Sequence, residues 1–303
     1  MTTQPCCPAV DVHTHIHPAL AEAMLAAMTA SGIEGIVNLG VLEACGVPFE
    51  EGMAVFRKVF GERMVYFTTP DFRDTSPGFG ERMAADLARK IAAGARGLKI
   101  FKELGLRHKD SEGRLIAVDD PRLDPLWEAA GRLGAPALIH TADPLAFFRP
   151  LDEANERWDE LHAHPDWHFG RPEFPDHDAL LAQRNRLLER HPRTVFIGAH
   201  LSEYPENLAY VDAILNRYPN LILFGSDLVL GCNASTQEKP TEEIVAHTLG
   251  FYAAHWRYFE SSDRQIPYPG HPIQGRLLVD ALGLPQGVLA KLYRDNARRL
   301  LWG

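Results

Sequence analysis

The sequence predicts an α/β protein, specifically a TIM-type (β/α) barrel built as a single domain over residues 1–303, and three observations predict it. Short apolar, β-branched runs alternate with amphipathic helical stretches along the whole chain, the pattern of parallel strands covered by helices. The runs are near-continuously apolar, as strands buried on both faces are. Metal-ligating residue types follow several of these runs, and the C-terminal strand ends are where barrel active sites lie. No G-x-G-x-x-G or G-x-x-x-x-G-K-[ST] pattern follows the first run, which removes the usual sign of a nucleotide-binding open sheet.

Taken in order, AVDVHTH reads as the first strand, and PALAEAMLAAMTASG as a helix closed by Gly32. IEGIVNLGV is the second strand, followed by a helix around Phe49–Phe60. RMVYFTTPDF and FGERMAADLARKIAAG form the third strand and helix, and ARGLKIFKELG and DPRLDPLWEAAGRLG the fourth. APALIHTADP is the fifth strand, and its helix, FPDHDALLAQRNRLLERHP, comes after a long irregular segment. RTVFIGAHLSEY and ENLAYVDAILNRYP make the sixth unit. NLILFGSD is the last strand, with TEEIVAHTLGFYAAHWRYFES and a helix over about Pro285–Leu301 closing the chain. The irregular segment, Leu145 to about Asp176, carries Phe147, Phe148, Trp158, Trp167, Phe169 and the histidines His162, His164 and His168. A loop of that length reads as an exposed or interface element, with Leu228–Thr241 as the second loop that shapes specificity.

Composition narrows the function. Hydrophobic content of 46% and charged content of 23% are those of an ordinary soluble protein. A net charge of −9 argues against a nucleic-acid partner. No apolar run is long enough to span a bilayer. The opening MTTQPCCPAV lacks the basic and apolar regions of a signal peptide. Four scattered cysteines fit neither a disulfide framework nor a zinc knuckle, so Cys6 and Cys7 read as reduced thiols and the protein as cytoplasmic.

The chemistry is carried by VDVHTHIHP, Val10–Pro18, where His13 and His15 sit two apart on the first strand and so share a face. His140 ends the fifth strand, His200 the sixth and Asp227 the last, so all five groups are expected at one barrel mouth. Any one of them alone would read as a loop residue; together they point to a metal. Histidine nitrogens with one carboxylate suit one divalent ion, zinc first, with manganese or iron also possible. His200 is read as the histidine kept off the metal, a general acid/base or oxyanion stabiliser. His17, beside Pro18, has no distant partner and reads as a loop residue.

With these residues in hand, the chain resembles the amidohydrolase superfamily, in its amidohydrolase-related branch of metal-dependent hydrolases and decarboxylases. The carriers are DVHTHIHP, GLKIFKELGL, LIHTADP, FIGAH, FGSD and LYRDNARRLL, from about Asp11 to Leu301. The resemblance implies that His13, His15, His140 and Asp227 are metal ligands, and that His200 and Asp227 are catalytic. It also implies a less favoured variant, a second metal bridged by a carboxylated Lys99. By comparison with that family one β/α unit is missing before the last strand, leaving seven strands. The expected activity is a hydrolase, in which water activated by the metal attacks an amide, lactone or ester carbonyl of a small molecule. The alternative is a non-oxidative decarboxylase of a small aromatic or unsaturated carboxylic acid, for which Arg107 and Arg149 are candidate carboxylate partners. A third reading is an inactive metal-binding barrel. A homo-oligomer is compatible with the aromatic FYAAHWRYF stretch.

Overall fold

The computed structural model describes residues 3–203, 214–215, 217–231, 237–270 and 278–303. In chain order its main elements begin with β1 (Ala9–Ile16), α1 (Ala21–Ser31), β2 (Ile33–Leu39), α2 (Phe49–Phe60) and β3 (Met64–Thr68). They continue with α3 (Phe79–Ala92), β4 (Gly97–Ile100), α4 (Asp124–Arg132), β5 (Ala137–Ile139), α5 (His177–Arg190) and β6 (Phe196–Gly198). β7 (Leu228–Leu230), α6 (Thr241–Glu260), the short β8 (Ile266–Pro267) and β9 (Leu278–Val279), and α7 (Gln286–Ala290) complete the set. The chain forms two compact units, Met1–Tyr66 with Asn207–Gly303, and Phe67–Glu206.

In the first unit β1 pairs in parallel with β2 on one side and β7 on the other. β1 is buried along almost its whole length, which is why AVDVHTHI carries apolar residues on both faces. α1 presents the small Ala23 and Ala27 with Met24 and Met28, all buried, and packs against α6. Gly32 ends α1 in the left-handed conformation (φ 75°), its N–H donating to Met28 O, a conformation glycine adopts without cost. Along α6 the buried Ile244, Thr248, Tyr252 and Trp256 recur every fourth residue, one face of a helix. Trp256 sits in an aromatic cluster with Phe224 and Tyr293, at ring separations of 5.1 and 5.0 Å. β8 and β9 form a small antiparallel pair over Tyr258.

In the second unit β3, β4, β5 and β6 form a parallel ladder in sequence order. α3 and α4 pack together over a core that includes Phe79, Met83, Leu98, Ile100, Leu126 and Trp127. The alternation of strands and helices is thus an α/β fold with seven parallel strands among the described residues. No helix among those residues is long and apolar enough to cross a membrane.

Three expectations need correction. NLILFGSD is not the last strand: β7 lies beyond it, at Leu228–Leu230. The run does lie along β1, since Val12 N donates to Phe224 O (2.9 Å) and Asp227 N to His13 O (2.9 Å). Other polar groups in the run and just before it, however, pair with the C-terminal helix rather than with a strand. Phe224 N donates to Leu292 O, and the buried Asn296 Nδ2 donates to Pro219 O and Ile222 O. The segment after β5 is likewise not an open loop. It holds short helical turns at Leu145–Phe148, Trp158–Ala163 and Pro165–Trp167, and buries Phe147, Leu161 and Phe169 against Leu106, Ala142 and Leu180. Cys45 is disulfide-bonded, which the scatter of cysteines does not lead one to expect, whereas Cys6 and Cys7 are free. The helix expected over ENLAYVDAILNRYP lies largely outside the described residues, as does part of the Leu228–Thr241 loop.

Candidate metal centre

The first unit brings His13, His15 and Asp227 together. His13 Nε2 lies 3.2 Å and His15 Nε2 3.4 Å from the same Asp227 oxygen, Oδ1. Both rings come from β1, where the four residues from Asp11 to Thr14 run opposite the three from Ile36 to Asn38 on β2, one extra residue on β1. Such a bulge redirects side chains and is common beside functional sites. Beyond it the strand is pinned by Asn38, whose side chain exchanges two hydrogen bonds with the Ile16 backbone (2.8 and 2.9 Å).

His15 shows how the group suits a cation. Its Nδ1 is 2.7 Å from Leu39 O, and a carbonyl can only accept, so Nδ1 carries the hydrogen. In the neutral ring Nε2 is then a lone pair facing a carboxylate oxygen, an arrangement that a cation between them makes favourable. A backbone carbonyl fixing the other ring nitrogen is the usual support of a metal-ligating histidine. The separations fit as well: ligands at about 2.0–2.1 Å in a tetrahedron lie roughly 3.3–3.4 Å apart. The donors present therefore fit a divalent ion.

Asp227 is held by its neighbours. Ser226 N donates to Asp11 Oδ1 (3.0 Å), Ser226 Oγ donates to Asp11 Oδ2, and Leu228 N donates to Ser226 Oγ (3.2 Å). Asp227 between them takes a left-handed backbone (φ 58°) that ordinary residues avoid. Burial pushes the Asp11 carboxyl up to about 6, against the opposing hydrogen bonds of Ser226, His13 N and Tyr252. Gly225 is required by proximity: a Cβ there would lie 2.8 Å from His13 Cβ. His17 is spent on capping, its Nδ1 accepting from Ala19 N (3.1 Å).

In the second unit His140 follows β5 directly, and its Nε2 lies 3.3 Å from Asp143 Oδ1. The rings of His140 and His200 meet edge to face at 4.4 Å. His200 and Leu201 both have positive φ, 47° and 54°. Lys102 Nζ pairs with Asp143 Oδ2 and sits 5.6 Å from the centroids of Trp167 and Phe169. Burial raises the Asp143 carboxyl, but the nearby His140 imidazole and the Lys102 charge outweigh it and hold the group below the usual carboxylate range. Lys99 is fully buried on β4, its ammonium 5.0 Å from the Phe101 ring centroid. Of the other expected contributors, Arg107 donates to Asp166 O and rests over Phe169, and Arg149 O pairs with His168 Nε2 (2.7 Å). His162 and His164 stack on Trp158 and Trp167.

Sequence reasoning did not single out Asp11, Ser226, Tyr252 or Asp143 as parts of the site. Asp11 and Ser226 lie within the DVHTHIHP and FGSD stretches and Asp143 three residues beyond His140 in HTADP, whereas Tyr252 leaves no local signal.

A family model described as "Amidohydrolase" matches residues 71–302. Several solved structures share the fold. A 2,6-dihydroxybenzoate decarboxylase from Rhizobium is 16% identical with a TM-score of 0.52, over 98% of this chain and 99% of that one. A dihydroxybenzoic acid decarboxylase from Polaromonas sp. JS666, with bound manganese and the inhibitor 2-nitroresorcinol, is 14% identical with a TM-score of 0.56, over 98% and 97%. A putative amidohydrolase from Staphylococcus aureus is 16% identical with a TM-score of 0.51, over 98% and 100%. Among curated proteins none matches.

Proposed function

This chain belongs to the amidohydrolase family, and from that premise we propose that it is a metal-dependent, non-oxidative decarboxylase of a small aromatic carboxylic acid, with 1–303 acting as one domain. The hydrolase that leads in the sequence reading becomes the second candidate, because decarboxylases stand among the structures of like fold. The observation that carries the metal part is the convergence of His13 Nε2 and His15 Nε2 on Asp227 Oδ1. The resemblance adds His140 as a further histidine ligand and His200 as a general acid/base, and both belong to the proposal. One divalent cation is proposed, with manganese, bound in the Polaromonas enzyme, to be tested beside zinc. A second ion on carboxylated Lys99 is the less favoured variant.

A cation bound here supplies Lewis-acid polarisation of the substrate's oxygens. The chain supplies the proton chemistry. Asp227 has a side chain 45% exposed, so it faces both the histidines and the space open to a substrate. In decarboxylation Asp227 would first have to take up a proton from solvent; it would pass that proton to the ring carbon, where the electrons of the breaking carbon–carboxylate bond form the new C–H bond, and CO2 leaves. In hydrolysis the same carboxylate takes a proton from the attacking water instead. The cytoplasmic location is proposed from the sequence alone.

The test is the purified chain loaded with zinc or manganese, assayed for CO2 release on hydroxybenzoates and for turnover of lactones and amides. CO2 release is the expected result. Lactone or amide turnover without CO2 favours the hydrolase. Saturation at a hundred times Kd should stabilise the protein by about 2.7 kcal/mol. A protein that retains no metal and gains no thermal stability from it overturns both enzyme readings, whereas one that binds metal but turns over neither substrate class leaves the inactive metal-binding barrel.

A further inference from the structure

We propose that Tyr252 and Ser226, acting through the Asp11 carboxylate, are positioning residues that set the metal affinity of the His13, His15 and Asp227 cluster; this rests on the metal reading above. Asp11 is fully buried and accepts four hydrogen bonds. Oδ1 accepts from His13 N (3.0 Å) and Ser226 N (3.0 Å), and Oδ2 from Ser226 Oγ and Tyr252 OH (2.8 Å). An ionised carboxylate offers about four lone-pair sites. All are filled, so Asp11 has none left for a cation, although it opens the motif that supplies two of the ligands.

What it does instead follows from where its donors come from. His13 is itself a ligand, and the hydrogen bond is to its backbone. Ser226 precedes Asp227, and its Oγ also accepts from Leu228 N, so Ser226 brackets Asp227 on both sides. Asp227 N in turn donates to His13 O (2.9 Å). Tyr252 arrives from α6, and its hydroxyl fixes the remaining side of the carboxylate. One buried anion thereby ties together the segments that carry His13 and Asp227, and it is oriented by a helix that carries no ligand. A merely space-filling role at position 252 would be met by phenylalanine.

The experiment uses the full chain, stripped of metal with a chelator. Zinc and manganese affinities are measured by competition with a fluorescent chelator, and the visible spectrum is recorded with cobalt(II) in place. Tyr252→Phe and Ser226→Ala are compared with the parent and with Thr248→Val, a control on the same helix whose buried hydroxyl bonds only its own turn, at Ile244 O (2.8 Å). The expected result is a Kd weakened about 10- to 100-fold in the first two, the usual effect of removing a partner that orients a ligand, with a shifted cobalt spectrum. Thr248→Val should bind as the parent does. If Tyr252→Phe does not fold, Ser226→Ala carries the test. Variants that melt lower but keep the parental Kd and cobalt spectrum overturn this proposal alone. A parent that binds no metal overturns the metal reading and this proposal with it.

Discussion

Replacing Gly225 by alanine tests whether His13 is held as tightly as the structure implies. The added Cβ would meet His13 Cβ at 2.8 Å, with His13 N at 3.5 Å and Val12 Cγ2 at 3.6 Å. To reach the 3.4 Å of ordinary contact the two must separate by 0.6 Å. His13 cannot yield easily, because it is buried, its N–H is bound to Asp11 and its carbonyl accepts from Asp227 N. The backbone at Gly225 is not left-handed, so the substitution acts by crowding and not by strain at φ. Overpacking of this kind costs about 1–3 kcal/mol. For a chain of this size that lowers Tm by about 2–6 °C. The larger effect falls on the metal site, where productive geometry tolerates about 0.5 Å of error. Moving His13 relative to Asp227 should reduce turnover by roughly tenfold to a hundredfold. Thermal melts with and without metal, and rates on the substrate found by the CO2 assay, give both numbers. A Gly225→Ala protein that melts and turns over like the parent would refute the close clamping of His13.

Two further predictions concern charge. Burial drives the His255 imidazole down to about 4 from its ordinary 6.5, so between those values the unfolded chain binds a proton that the folded one refuses. Stability should therefore fall as pH drops from 6.5 to 4, by about 3 kcal/mol for this group, and His255→Gln should flatten that slope in urea melts taken across the window. An unchanged slope would show that His255 is not held neutral. Lys102→Met removes the cation paired with the buried Asp143, and leaving a charge uncompensated costs about 3–5 kcal/mol. Urea unfolding at pH 7 measures it, and a loss under 1 kcal/mol would mean that His140 alone satisfies the carboxylate.

Much of the fold is legible in the sequence because burial there follows period. The helix expected around Phe49–Phe60 is found at those residues, since Phe49, Met53, Phe56 and Phe60 recur on one face. TEEIVAHTLGFYAAHWRYFE likewise becomes α6. LILF defeats the same reasoning. It is apolar and lies along β1, where Phe224 O accepts from Val12 N, yet hydrogen bonds from the distant Asn296 and to Leu292 take the place of the rest of a strand ladder. Periodicity reports which residues are buried, not where backbone donors and acceptors find partners. The segment from Leu145 to Asp176 fails differently: its length and irregularity read as an exposed or interface loop, but its aromatic residues close over one another in a cluster.

The site shows the same division. His13, His15 and Asp227 can be found from residue type and position, whereas the parts that orient them are ordinary residues far apart in sequence. Asp11 and Tyr252 are separated by 241 positions. The strained residues add a physical reason to place function where the ligand types already point. Asp227 and His200 both have left-handed backbones, and each such non-glycine residue costs of order 1–3 kcal/mol unless its surroundings impose it. At Asp227 the surroundings do so, through Ser226 on one side and the His13 carbonyl on the other. A glycine would relieve the strain at that position and remove the carboxylate, so the strain is the consequence of keeping an acid there. Reading FGSD as the end of a regular strand hides that inference, because a residue in an ordinary ladder has no strain to explain.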